Sequence, residues 1–323
     1  MPSNTIYFYA KHADLQGTGV SVFDYANFNQ TVLGNTSVVI LDENCPDSHP
    51  LVIEKFKNAD IEIVENPGVE NMPALEKFLD SRGATNLYIQ KTGRKDDGRY
   101  VNNVPMFIHV VGMQNDPHGL VYAYVSEWGS QTCSGGQHPF VPYMAHLPET
   151  DENFREQLNI PEEAIVFGRV GGFYSWNIPW VQNVIKEVLN KRRDIHFLFV
   201  QTPHFLNHER VVHVEPYANL EIKRKFINTC DAFLHARMEG ESFGMAVAEF
   251  SICNKPVITY KNSPERNHIH VLGDKGLYYE DPSSLKNLLL NFEKQPEKNW
   301  NAYSEFTPEK VINKFNEVFI KSI

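Results

Sequence analysis

No apolar run in this sequence approaches the roughly 20 residues that a helix needs to span a bilayer, so no membrane span is expected. The residues before the strand-like segment 6–10 carry neither a basic patch nor a long apolar stretch, so no secretory leader is expected and the chain reads as cytoplasmic. Cysteine is scarce. Cys45, Cys133, Cys230 and Cys253 lie far apart without a C-x-x-C pair, which argues against a disulfide framework. Basic charge is short as well: 30 Lys and Arg stand against 40 Asp and Glu, a formal charge of -10. A general nucleic-acid binder needs a basic face to displace condensed counterions, so no nucleic-acid partner is expected. The 13 histidines show no H-E-x-x-H or comparable spacing, and no metal or other cofactor is expected. A complete G-x-G-x-x-G is also missing. Gly17-Thr18-Gly19 follows the first strand without a third glycine, which counts against a nicotinamide dehydrogenase.

What is present is an ordinary globular mixture, 42% hydrophobic and 22% charged, over 323 residues, a length that suits two cores of usual size. Short apolar, β-branched or aromatic runs mark strands at 6–10, 37–41, 61–64, 86–90, 106–111 and 120–125. A second set falls at 164–168, 195–200, 211–214, 232–235, 256–259 and 276–279. Helical periods occupy 181–192, 219–229 and 244–253, and a last one, 307–323, places Val311, Phe315, Val318 and Phe319 on one face. This alternation predicts an α/β protein with two Rossmann-like α/β/α domains built on parallel sheets. Pro139, Pro142, Pro148 and Pro161 punctuate the middle of the chain. The expected division is 1–145, 146–305 and a C-terminal helix, 306–323, crossing back to the first domain. A short helix over 152–159 is expected behind a Thr150 or Asp151 cap, and 128–136 reads as a mobile loop.

The most informative stretch begins with a strand at 232–235, passes through a turn, Ala236 to Ser242, and enters a helix near Gly244. The start of a helix leaves backbone N–H groups unpaired and carries partial positive charge. Gly244 and Ala246 keep side-chain bulk away, so an anionic group such as a diphosphate can approach the amides around Phe243, Gly244, Met245 and Ala246. Glu241 precedes that end and Glu249 lies about 1.5 turns into the helix. A carboxylate beside a diphosphate is repelled unless it accepts hydrogen bonds from hydroxyls. Both glutamates therefore point to sugar contacts, and Ser242 belongs to the same turn.

The E-x7-E pattern of Glu241 and Glu249, within Glu239-Gly240-Glu241-Ser242-Phe243-Gly244 and followed by Lys255-Pro256-Val257-Ile258, resembles the retaining glycosyltransferase family 4. Phe167-Gly168-Arg169, Ser263-Pro264-Glu265 and Asp281-Pro282 extend the resemblance in the same order, while the first half matches weakly. The resemblance implies the GT-B fold, with facing domains around a central cleft, no metal, and transfer with retention. It assigns Arg169 to the donor diphosphate, Glu241 to the donor sugar and Glu249 to the nucleotide ribose. Gly17 and Gly19 would let the first domain approach the donor. His109 resembles the family histidine near the reacting carbon, and equally reads as a satisfied core histidine. The lysine usual after G-R is missing from Val170 to Asn177, and Arg237 is the candidate replacement. Asn254 stands where the family often has glycine, a position expected to need positive φ and to be structurally neutral. The expected partners are a nucleotide-sugar donor, GDP-mannose first, and a carbohydrate or glycoconjugate acceptor. The base pocket is expected near His213 to Tyr217. A sugar-nucleotide epimerase of the same fold and a non-catalytic sugar or nucleotide binder stay open, as does the oligomeric state, a dimer included.

Overall fold

Every strand ladder in the computed structural model, which describes residues 4–14, 17–42, 48–66 and 71–322, is parallel. The chain forms two units, one from residues 1–144 and 306–323, the other from residues 145–305. In the first unit the strands are β1 (Thr5–Ala10), β2 (Thr36–Asp42), β3 (Glu62–Asn66), β4 (Leu87–Lys91), β5 (Met106–Val110) and β6 (Val121–Tyr124), with sheet order β3-β2-β1-β4-β5-β6. Helices α1 (Gly17–Thr31), α2 (Pro50–Asn58), α3 (Met72–Ser81) and α4 (Glu127–Ser134) intervene along the chain.

The second unit repeats this order with β7 (Ile165–Arg169), β8 (Ile195–Val200), β9 (Val211–Val214), β10 (Ala232–His235), β12 (Val257–Tyr260) and β14 (Gly276–Tyr279). Its sheet runs β14-β12-β10-β7-β8-β9, and a two-residue ladder joins β11 (Gly240–Glu241) to β13 (Glu265–Arg266). Its helices are α5 (Pro179–Lys191), α6 (Leu220–Thr229), α7 (Met245–Ile252), α8 (Asn267–Leu272) and α9 (Pro282–Leu290). Both sheets thus have the doubly wound order of a Rossmann-like domain, in agreement with the α/β class read from the sequence. Strands β4, β5, β7 and β8 are buried along their whole length because helices cover both faces, which explains their unbroken apolar runs.

Local chemistry sets the helix starts. Proline opens α2, α3, α5, α9 and α10 (Pro308–Val318), and Asn71, Asn219, Asp281 and Thr307 accept the orphan amides of their own helices. Two sequence expectations fail. Residues 152–159 form turns rather than a helix, because Thr229 Oγ1 takes the Phe154 amide and Asn153 Oδ1 takes that of Arg155. The Arg155 guanidinium also draws in the carbonyls of Pro161, Glu162 and Ala164. The segment read as a mobile loop contains α4, whose Ser126 cap accepts from Gly129 N and whose C-cap, Gly135, is left-handed. Asn254 does adopt positive φ, 57°. Its side chain also accepts from Trp300 N and donates to Lys298 O. Cys133, Cys230 and Cys253 form no disulfide with one another, and Cys45 lies outside the described residues.

Helix α10 belongs to the first unit. Phe315 stacks on Tyr25 at 4.8 Å and on Phe8 at 6.2 Å, while Phe319 meets the edge of Tyr88 at 5.5 Å. Phe315 and Phe319 are wholly buried. Phe315→Ala should therefore cost the first unit about 3–5 kcal/mol, the usual loss for a buried aromatic truncated in a packed core. Urea unfolding followed by fluorescence checks this, and a loss below about 1 kcal/mol would show that the helix is dispensable.

Candidate functional site

In a doubly wound sheet the strand order reverses between the first and fourth strands, and the loops leaving their C-terminal ends diverge to open a crevice. In the second unit those strands are β7 and β10, which end on Arg169 and His235. The loop after β10 turns back through β11. Gly240, at φ 80°, passes so close to β13 that a Cβ would sit 2.0 Å from Glu265 O. Gly244, at φ 92°, then reverses the chain into α7, a conformation that a residue bearing a Cβ rarely adopts. No side chain caps α7, so its opening amides remain available to an anion. The turn is braced from behind, where Asn267 Nδ2 and Tyr303 Oη donate to Phe243 O at 3.0 and 3.2 Å.

Glu241 stands in this turn with about a fifth of its side chain exposed. His235 Nε2 donates to Oε1 at 3.1 Å and Arg237 donates to Oε2 at 3.1 Å. Burial works to raise the pKa of the carboxyl, but the His235 hydrogen bond and the charge of Arg237 overcome it, with His235 and His268 adding to the effect, and hold the value at about 2. Glu241 is thus an ionised acceptor with capacity left for further donors.

Arg169 is buried. Its terminal nitrogens donate to the carbonyls of Gly171, Gly172, Val200 and Gln201 and to the hydroxyls of Thr202 and Ser175. Burial lowers its pKa to about 10, with Glu241 opposing. In this arrangement the guanidinium organises the loop after β7, and a diphosphate would have to displace some of these oxygens to reach it. Arg237 is the more open cation, a third exposed, and it lies on the turn that carries Glu241. Asn177 ties the two loops together, accepting from Met238 N and donating to the Glu239 carboxylate.

Glu249 is buried on α7, with Lys223 of α6 ion-paired to Oε1 at 2.7 Å. The Tyr217 hydroxyl is buried without a hydrogen-bond partner, and burial, followed by the charge of Glu249, raises its pKa. In the segment expected to hold the base, His213 stacks on His204 at 3.8 Å and on Phe199 at 5.3 Å. Its Nε2 is buried and unpartnered. Ser242, Met245 and Ala246 are partly exposed around the helix start, whereas Phe243 and Gly244 are buried.

Residues singled out in the first unit have other surroundings. His109, on β5, is wholly buried: Nδ1 meets Tyr88 Oη at 2.6 Å and Nε2 meets Val141 O at 2.8 Å. Burial lowers its pKa to about 4 despite the carbonyl contacts, and neither ring nitrogen is open to a ligand in this arrangement. Gly19 packs against Asp14, where a Cβ would lie 2.4 Å from Oδ1, so its missing side chain is already explained by that contact. Gly17 is the first residue of α1 and is partly exposed. The sequence reading missed His235, Thr259, His268, Asn177 and Lys223. His235 ends β10, and the parallel register of β10 and β12 sets it beside Thr259.

Residues 204–306 match the family described as Glycosyl transferases group 1, and that span holds Glu241, the start of α7, Glu249 and the residues around them. No curated protein sequence matches the chain. HepE of Anabaena, solved in complex with UDP-glucose, superposes with a TM-score of 0.74 at 13% identity, over 99% of this chain and 100% of that one. A glycosyltransferase of Rickettsia africae gives 0.71 at 14% identity, over 100% and 99%. Sucrose-phosphate synthase of Thermosynechococcus elongatus gives 0.71 at 14% identity, over 98% of each chain. At such identities the fold is what is shared, and this chain has the GT-B architecture. Within the described residues no helix is long and apolar enough to cross a membrane, and no group of three or more His, Cys, Asp or Glu could hold a metal.

A carboxyl whose pKa falls on folding, here from 4.5 to about 2, stabilises the folded state above its unfolded value and gives up that contribution as pH drops toward the folded one. Glu241→Gln should therefore be less stable than the parent by about 1–3 kcal/mol at about pH 7, with the gap closing toward about pH 2–3. Urea titrations across this range check it, and a gap independent of pH would remove ionisation as the cause.

Proposed function

We propose that this chain is a glycosyltransferase that takes a nucleoside-diphosphate hexose and passes the hexose, with retention, to a hydroxyl of a carbohydrate or glycoconjugate acceptor. The observation that carries this reading is the ionised Glu241 beside the uncapped start of α7, within the segment that matches Glycosyl transferases group 1. An anion seated on the α7 amides and two hydroxyls on Glu241 describe a sugar diphosphate, because the carboxylate repels phosphate but accepts from hydroxyl groups.

In this mechanism the bond between the anomeric carbon and the diphosphate breaks with its electron pair on the phosphate oxygen. The amides of α7 and the Arg237 guanidinium stabilise the charge that develops there. The acceptor oxygen bonds to the anomeric carbon from the face the diphosphate leaves, and its proton passes to the departing phosphate oxygen. Glu241 orients the sugar and forms no covalent bond. Glu249, held by Lys223, offers its other oxygen to a ribose hydroxyl. The cationic groups of the protein carry the charge of the leaving group, so no metal is required. UDP-glucose, the ligand of HepE, is the first donor to test, with GDP-mannose, the sequence expectation, beside it. A non-catalytic nucleotide-sugar binder is the second reading, favoured by the engagement of Arg169 with loop oxygens.

Calorimetric titration with UDP-glucose, GDP-mannose and an ADP-sugar is expected to show one saturable site, and hydrolysis or transfer of the bound sugar separates enzyme from binder. Ala246→Glu, which sets a negative charge at the start of α7, should weaken binding of the preferred donor at least about tenfold. A chelator should leave turnover unchanged. Failure of every nucleotide sugar to bind would sink the reading.

A further inference from the structure

The geometry points to Thr259 and His268 as positioning residues for sugar recognition, which lock His235 in the tautomer that donates to Glu241 and so leave each carboxylate oxygen one free lone pair for a sugar hydroxyl. This rests on the reading of Glu241 as the donor-sugar carboxylate. Four side chains form the chain of contacts. His235 Nε2 meets Glu241 Oε1 at 3.1 Å, His235 Nδ1 meets Thr259 Oγ1 at 2.8 Å, and His268 Nε2 meets the same Thr259 oxygen at 3.1 Å. Thr259 and His268 are wholly buried and His235 nearly so, so water does not compete within the chain.

Counting protons fixes the order. An ionised carboxylate only accepts, so His235 carries its proton on Nε2. A neutral His235 then has a bare Nδ1, which takes the single hydroxyl proton of Thr259. Having spent that proton, Thr259 must accept from His268, which therefore also carries its proton on Nε2. The remaining atom, His268 Nδ1, becomes a bare lone pair, and it is indeed buried without a partner. The reverse order would need a charged His235 and would leave His268 Nδ1 as a buried, orphaned N–H, a rarer and costlier defect than an unused acceptor. It would also add positive charge near the arginines that face this cluster, Arg237 from the turn after β10 and Arg266 from β13.

The consequence lies at Glu241. With His235 on one oxygen and Arg237 on the other, the carboxylate is held in one orientation, and each oxygen of this partly exposed side chain keeps a lone pair for a hydroxyl of the sugar ring. Thr259 and His268 touch no substrate in this scheme; they act through His235.

Thr259→Val removes the hydroxyl while keeping the branched shape, and Thr259→Ser keeps the hydroxyl. For whichever nucleotide sugar the parent binds, Thr259→Val should lose about tenfold in affinity, while binding of the matching free nucleoside diphosphate stays within about twofold. Thr259→Ser should stay within about twofold of the parent for both ligands. Nitrogen NMR of the histidine rings in the ligand-free parent gives an independent readout, with both His235 and His268 expected as Nε2–H tautomers. Equal loss of nucleotide sugar and nucleotide in Thr259→Val would mark a merely structural effect and overturn the inference. So would unchanged sugar binding in that variant, or a charged or Nδ1–H His235 in the parent. Should Thr259→Val fail to fold, the tautomers and the Ser variant still decide. If the parent bound no nucleotide sugar at all, the glycosyltransferase reading would fail, and the tautomer order would still be settled by NMR.

Discussion

The second unit depends on keeping one carboxylate charged where little water reaches it. Glu241 sits in a turn that would neutralise a lone acid, since an uncompensated buried charge costs several kcal/mol (about 3–5 when one partner of a buried pair is removed). The turn is built to prevent that. Gly240 brings β11 against β13, Gly244 turns the chain back, and the Phe243 carbonyl is pinned by Asn267 and Tyr303. The backbone path therefore sets where the carboxylate stands, and His235 and Arg237 set its charge. The same path delivers the amides of α7 to a place beside it. An acceptor of hydrogen bonds and a seat for an anion thus arise from one turn, and a ligand that satisfies both must carry hydroxyls next to phosphate.

The corresponding end of the first sheet is organised differently. At the close of β4, Lys91 has its ammonium buried against Asp97 at 2.7 Å, and Arg99 meets the same carboxylate at 2.8 Å. Burial lowers the Lys91 pKa and the hydrogen bond to Asp97 opposes it. There the ammonium faces a carboxylate directly. Arg169 in the second unit has carbonyl and hydroxyl oxygens as its hydrogen-bond partners, so no directly bonded carboxylate cancels its charge, although Glu241 acts on it. The difference matters because a field is useful to an anionic ligand only where the protein has not already cancelled it.

Much of this could be read from the chain. The strands at 195–200, 211–214, 232–235 and 276–279 appear at those limits because apolar runs bounded by turns have few other ways to bury themselves. Asn219 and the positive φ of Asn254 follow from local chemistry alone. Elsewhere the local pattern is completed or overridden by groups that it does not show. Residues 152–159 have a helical pattern, yet Thr229, some 75 positions away, removes an amide from it. Gly19 looks like an opening for a ligand until Asp14 fills the space. His109 sits at a strand end, and what surrounds its ring, Tyr88 and Val141, comes from other elements. In the site, the E-x7-E spacing and the helix start were visible because they are local. His235, Thr259 and His268 became a set only through strand register, which a single chain does not display.

The placement of α10 has a bearing on how the protein comes into being. The first unit draws its last helix from residues 308–318, after the whole second unit has been synthesised. Until that helix emerges, the aromatic face of Phe8, Tyr25 and Tyr88 has no Phe315 or Phe319 to cover it. On the ribosome the middle of the polypeptide can therefore reach its native state before the beginning does, and the nascent amino-terminal portion waits with a sticky, half-finished surface. Removing the last two turns of α10 would leave the aromatic face of the portion made first uncovered.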